Sequence, residues 1–124
     1  MFFLSRDGFR IYYRLLNRKS PKTPVVFVHG WMSNWTCFKP EIMYFSRRNY
    51  PVLYLDLRGH GRSDKPEKFE SYSLEIMQED INAILKKEKI RKINIVGHSM
   101  GGMVSLLFCV RNQGKVKSLV IIDS

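Results

Sequence analysis

Four short apolar runs decide what this chain can fold into. PVVFVHG (24–30), YPVLYLDL (50–57), KINIVG (92–97) and VKSLVIID (116–123) are rich in valine, isoleucine and leucine. A strand with one wet face alternates apolar and polar residues. A run that is apolar at nearly every position suits a strand covered on both sides, as in a parallel sheet. None of the runs approaches the ~18 apolar residues of a membrane span. Between them the apolar spacing changes to three and four. Trp35, Phe38, Ile42 and Phe45 form one helical stripe, with Pro40 suited to its first turn. Leu74, Met77, Ile81 and Leu85 form a second, opened by Ser73 as N-cap with Glu75 set against the helix dipole, and ending near Lys87. From Met100 to Asn112 the chain is apolar on nearly every side, which predicts a helix enclosed by other elements, with Gly114 as its stop. Ahead of the first run, FFLS and FRIYYRLL flank Arg6-Asp7-Gly8 and read as a hairpin. The whole order predicts an α/β fold: an antiparallel hairpin, then a parallel sheet with helices on both faces and right-handed crossovers, ending after the sixth strand.

At 124 residues the chain amounts to one domain, 1–124. Its net charge of +10 raises the question of a nucleic-acid or membrane-surface partner. The basic residues, however, cluster just before the four runs: Arg18, Lys19 and Lys22; Arg47 and Arg48; Lys86, Lys87, Lys89, Arg91 and Lys92; Arg111, Lys115 and Lys117. Open α/β sheets bind ligands beyond the carboxyl ends of their strands, the opposite edge. The charge therefore reads as a solvated rim first, an acidic docking surface second, and argues against nucleic acid as the ligand. Only MFFL precedes Ser5 and Arg6, too short for a secretory leader, so the expected location is cytoplasmic. Cys37 and Cys109 show no metal spacing and are expected to be buried thiols; no metal or cofactor motif is present.

The chemistry centres on IVGHSMGG (95–102). Gly97-His98-Ser99-Met100-Gly101 is a G-x-S-x-G stretch lying between a predicted buried strand and a predicted helix, the setting in which a tight turn presents a serine nucleophile. Side chains at Gly97 and Gly101 would collide in such a turn. His29-Gly30-Trp31 ends the first parallel run, and DLRGHGRSDKP (56–66) ends the second. Asp56 is expected to hold the following turn by local hydrogen bonds. Trp31, Met32 and Trp35 read either as core aromatics and methionine or as the wall of an acyl pocket.

With VHGW, LDLRGHGRSDKP, IVGHSMGG and LVIIDS in this order, the sequence resembles the α/β-hydrolase fold family, in its serine esterase, lactonase and haloperoxidase-like branch. The resemblance covers the amino-terminal half of that fold. It implies that Ser99 is the nucleophile and that the backbone N–H groups of Trp31 and Met100 form the oxyanion hole. His29, Gly30, Gly97, His98 and Gly101 support the motifs, and His60 shapes the site wall. A serine where some branches carry aspartate argues against epoxide hydrolase or dehalogenase chemistry. The implied activity is hydrolysis of a small ester, lactone or thioester through an acyl-serine, with no cofactor and no metal.

The family's acid and histidine follow the nucleophile, yet no histidine follows Ser99; the chain's three are His29, His60 and His98. Asp123 stands where a minority of the family carries its acid. The expectation is a truncated core domain without the cap and the acid and histidine strands, weak or inactive alone. VKSLVIID would then form an exposed edge, open to a second copy or to a complementing fragment. Two further readings stay open: a non-catalytic interaction module using that edge, and acyl transfer to an alcohol or amine in place of water.

Overall fold

A computed structural model describes residues 1–123. Six strands form one sheet: β1 (Phe2–Leu4), β2 (Arg10–Leu16), β3 (Val25–Val28), β4 (Val52–Leu55), β5 (Ile93–His98) and β6 (Val116–Ile122), in the spatial order β1-β2-β4-β3-β5-β6. β1–β2 and β2–β4 are antiparallel, and β3–β4, β3–β5 and β5–β6 are parallel. The hairpin turns where Asp-Gly predicts it: Gly8 N–H donates to the Ser5 carbonyl at 2.9 Å, with Gly8 at φ +88°.

Three α-helices join the parallel strands: α1 (Lys39–Arg47), α2 (Leu74–Lys87) and α3 (Met100–Arg111). A 3-10 turn, Trp35–Phe38, leads into α1, and Pro40 lies in the first turn of that helix. Ser73 caps α2 by accepting the Ile76 N–H at 3.0 Å. The helices cover both faces. Phe38 and Ile42 pack with Val25, Phe27, Val52 and Tyr54, while the alternate residues Val26, Val28, Leu53 and Leu55 pack with α2 and α3. Both sides of β3 and β4 are dry, which is why Val25–Val28 and Val52–Leu55 carry no charged residue.

Three expectations are corrected. α3 is not enclosed: Val104 and Phe108 are fully buried, but Met103, Leu106 and Val110 face outward and are about half exposed. Its apolar sequence serves two faces, of which β3, β5, β6 and α2 cover one. The helix stops at Asn112 and not at Gly114, because the Asn112 side-chain amide donates to the Phe108 carbonyl at 3.0 Å. The third is Cys37, which is exposed on the solvent side of the turn that buries Phe38, while Cys109 is half-buried. β6 forms the exposed edge that the sequence leads one to expect: it pairs with β5 alone among the described residues, and Val120, Ile121 and Ile122 are exposed. No helix among the described residues is long and apolar enough to cross a membrane.

Candidate active site

Ser99 sits at the junction of β5 and α3, at φ 53°, ψ −120°. A non-glycine residue in that region is strained, so the surrounding packing must hold it there. Two glycines make the bend possible. A Cβ on Gly97 would lie 2.3 Å from the Gly101 carbonyl oxygen, and one on Gly101 would lie 2.1 Å from the Val28 carbonyl oxygen. α3 thus begins in backbone contact with the end of β3. The Ser99 N–H donates to the Ile122 carbonyl at 3.0 Å, so the last strand secures the bend. Ser99 itself is half-buried.

The β3–α1 loop lies directly against this bend. A Cβ on Gly30 would stand 3.1 Å from Ser99 Cβ and 3.1 Å from the His98 carbonyl oxygen. A side chain there would force its neighbours to give by a few tenths of an ångström, so glycine suits so close an approach. Trp31 and Met100 follow the two touching residues, Gly30 and Ser99. Among the described residues, neither the Trp31 nor the Met100 N–H donates to a side chain or a carbonyl. Trp31 and Met32 are exposed, at 60% and 84%, so they are available to line an acyl pocket. Trp35 instead stacks on Tyr54 at 4.5 Å between ring centroids, and belongs to the core.

Polar side chains tie the surrounding loops together. Asp56, fully buried at the end of β4, accepts the Trp35 N–H at 2.9 Å through one carboxylate oxygen and the Arg62 N–H at 2.9 Å through the other. It holds its own turn, as the sequence predicts, and clasps the β3–α1 loop as well. His60 Nε2 accepts the Met32 N–H at 3.0 Å, and His60 Nδ1–H donates to the Arg58 carbonyl at 3.0 Å. His29 behaves alike: Nε2 accepts the Leu57 N–H at 2.9 Å and Nδ1–H donates to the Gly30 carbonyl at 2.7 Å. Burial pushes the His29 imidazole below its ordinary value, keeping it neutral in that tautomer. Both rings spend both nitrogens on the main chain, so both are positioning residues. His98 ends β5, and its Nδ1 is buried without a hydrogen-bond partner among the described residues. Asp123 follows Ile122, with its side chain exposed and making no ion pair or side-chain hydrogen bond among the described residues.

A buried ion cluster stands beside these loops. Arg58, 1% exposed, donates from Nε to Asp80 at 2.8 Å, from a terminal nitrogen to Asp7 at 2.8 Å, and to the Ser71 carbonyl at 2.9 Å. It joins the hairpin turn, the β4 loop and α2. The sequence reading places Arg58 in a turn and does not predict the cluster. The available signal was Asp80, a carboxylate on the apolar stripe between Met77 and Ile81. A cavity of about 690 Å³ lies between the hairpin and α2, reaching Asp7, Arg58 and Asp80 but not Ser99. No group of three or more histidine, cysteine or acidic residues among the described residues is placed to hold a metal.

Known proteins share this architecture. A family model described as alpha/beta hydrolase fold matches residues 23–124. Epoxide hydrolase 4 of Mus musculus is 32% identical over 117 residues, covering 94% of this chain and 32% of that protein. Among solved structures, Est816, described as an N-acyl homoserine lactone degrading enzyme, superposes with a TM-score of 0.85 at 30% identity, covering 95% of this chain and 43% of its own. The esterase EaEST from Exiguobacterium antarcticum superposes with a TM-score of 0.88 at 29% identity, covering 98% and 44%. The chain thus spans about a third of the length of the curated relatives, at 32% to 37% of those with the strongest matches. On the family match, the sheet order and the bend at Ser99 together, this chain belongs to the α/β hydrolase fold family.

Proposed function

We propose that this chain provides the nucleophile and the carbonyl-binding half of a serine hydrolase that cleaves carboxylic ester, lactone or thioester bonds through an acyl-serine. The observation that carries this reading is the strained bend at Ser99, flanked by two N–H groups that no described residue engages. Ser99 Oγ would attack the carbonyl carbon while the Trp31 and Met100 N–H groups hold the developing oxyanion; one such donor is worth ~3 kcal/mol. The intermediate collapses, the alcohol or thiol leaves with the proton, and water repeats the sequence on the acyl-serine. The proton needs a base. His29 and His60 are committed to the main chain and the Nδ1 of His98 is buried, so the reading assigns that role to a histidine outside these 124 residues. The small-molecule substrate then reaches Ser99 beside Trp31 and Met32.

The relatives named as epoxide hydrolases and as esterases or lactonases separate on the nucleophile's chemistry. A carboxylate that opens an epoxide forms an ester, which water cleaves. A serine hydroxyl would form an ether, which water does not. Ser99 therefore favours acyl chemistry. The exposed β6 edge and outer α3 face favour a second reading, an interaction module without turnover, in which a second copy or a complementing fragment pairs with the edge.

Fluorophosphonate labelling read by mass spectrometry distinguishes the two. Added imidazole stands in for the missing base and should accelerate labelling at Ser99, with none in Ser99→Ala. Equal labelling of both proteins, or an imidazole-insensitive rate, removes the hydrolase reading.

A further inference from the structure

The end of the sheet farthest from Ser99 carries a second concave feature. A cavity of about 260 Å³ opens where the end of β2, the segments entering β3 and β4, and the α2–β5 turn converge. Its floor is apolar, formed by Leu15, Pro24, Pro51 and Ile90. Its rim carries Arg18, Lys22, Lys89, Arg91 and Lys92, against one acid, Glu88. That acid is already taken, by an ion pair with Arg18 and by the Tyr13 hydroxyl. Lys22 donates to the Arg48 carbonyl at 2.8 Å, and Lys92 to the Gly114 carbonyl at 3.1 Å. The side chains of Lys89 and Arg91 make no hydrogen bond or ion pair among the described residues, although both residues line the cavity. Five cations thus converge on a hollow whose single carboxylate is spent.

The backbone adds an independent observation. Lys89 lies at φ 58°, in the left-handed position that closes α2, where the Ile90 N–H returns to the Leu85 carbonyl at 2.9 Å. α1 closes in the same way, with the Tyr50 N–H returning to the Phe45 carbonyl at 3.1 Å, but there the left-handed residue is Asn49 at φ 62°. Glycine and asparagine are the residues that take this conformation at least cost. A lysine in the same position keeps its charge on the cavity rim at the expense of backbone strain.

We propose that this cavity is a binding site for a small polyphosphate anion, gripped by Lys89 and Arg91 with Lys92 alongside. Several unneutralised cations call for several negative charges in one ligand, and the forked guanidinium of Arg91 suits phosphate oxygens. The volume, just below the ~300 Å³ of typical small-ligand pockets, suits a ligand of a few phosphate groups.

Calorimetric titration of the chain with inorganic tripolyphosphate tests this, with orthophosphate, phosphatidylserine vesicles and duplex DNA as the other arms. The expected result is one-to-one binding of tripolyphosphate, tighter than orthophosphate. Arg91→Gln and Lys89→Gly should each weaken it about tenfold, the loss of one charge-assisted hydrogen bond. Lys89→Gly should at the same time raise the thermal midpoint by relieving strain, which separates a lost ligand contact from a damaged fold. Absent binding, or binding that both variants leave unchanged, overturns the proposal. So does tighter binding of vesicles or DNA with the same dependence on Lys89 and Arg91, which would mark a flat anionic partner.

Discussion

Replacing Arg58 by methionine should destabilise the chain by about 3 kcal/mol at pH 7, and the penalty should shrink in acid. The magnitude follows from what the guanidinium leaves behind. Asp7 has a side chain 41% exposed and can turn to water. Asp80, with a side chain 7% exposed, cannot. The loss is therefore close to the cost of stranding one buried carboxylate. The sign of the pH dependence has two parts. Arg58 holds the Asp7 carboxyl down at about 2, from an ordinary 3.8. That stabilisation is complete above the ordinary value and disappears as pH falls toward the folded one, so the wild type weakens in acid. Asp80 is raised by burial while Arg58 opposes the rise. Without Arg58 it rises further, so the variant gains stability as acid neutralises it. Both effects narrow the gap. Urea unfolding followed by tryptophan fluorescence between pH 7 and pH 3 measures it. Adding Asp80→Leu to the variant should restore most of the loss, since an apolar pair can replace a buried ion pair. A loss below ~1 kcal/mol at neutral pH, or a gap that widens in acid, would refute the cluster as a structural unit.

Three further substitutions test the frame around Ser99 and its surroundings. Gly101→Ala places a methyl 2.1 Å from the Val28 carbonyl oxygen, between two backbones that cannot both yield, so the unfolding midpoint should fall by an amount equivalent to ~2 kcal/mol or more, with loss of Ser99 labelling. Gly114→Ala, with open space around it, is the control and should lie within ~0.5 kcal/mol of wild type. Ser73→Ala removes the acceptor of the Ile76 N–H and should cost ~1 kcal/mol in chemical unfolding without changing the labelling rate at Ser99.

The sequence reveals the sheet because its buried strands have to be apolar on both faces, as Val25–Val28 and Val52–Leu55 are. The bend at Ser99 was legible for a related reason: only glycine tolerates the approaches at Gly97 and Gly101, so the motif records backbone geometry directly. Long-range polar contacts leave no such record. Arg58 meets Asp7 and Asp80 across 51 and 22 residues of chain; Arg58 and Asp7 look locally like turn charges, and Asp80, though on the apolar stripe, does not name its partner. His60 was placed in the wall, but its bond to the Met32 N–H depends on how two loops meet. The exposed side of α3 was misjudged because an apolar helix reads the same whether its second face is covered or bare. Lys89 gives no such signal, because propensity does not forbid a left-handed lysine; only its φ of 58° exposes it.

The carbonyl of Ile122 that receives the Ser99 N–H belongs to an outermost strand, held on one flank only. Strands so placed open more easily than those in the middle of a sheet. The strained backbone at Ser99 is consequently tethered to an edge strand, so partial opening of β6 would release the N–H that holds the bend.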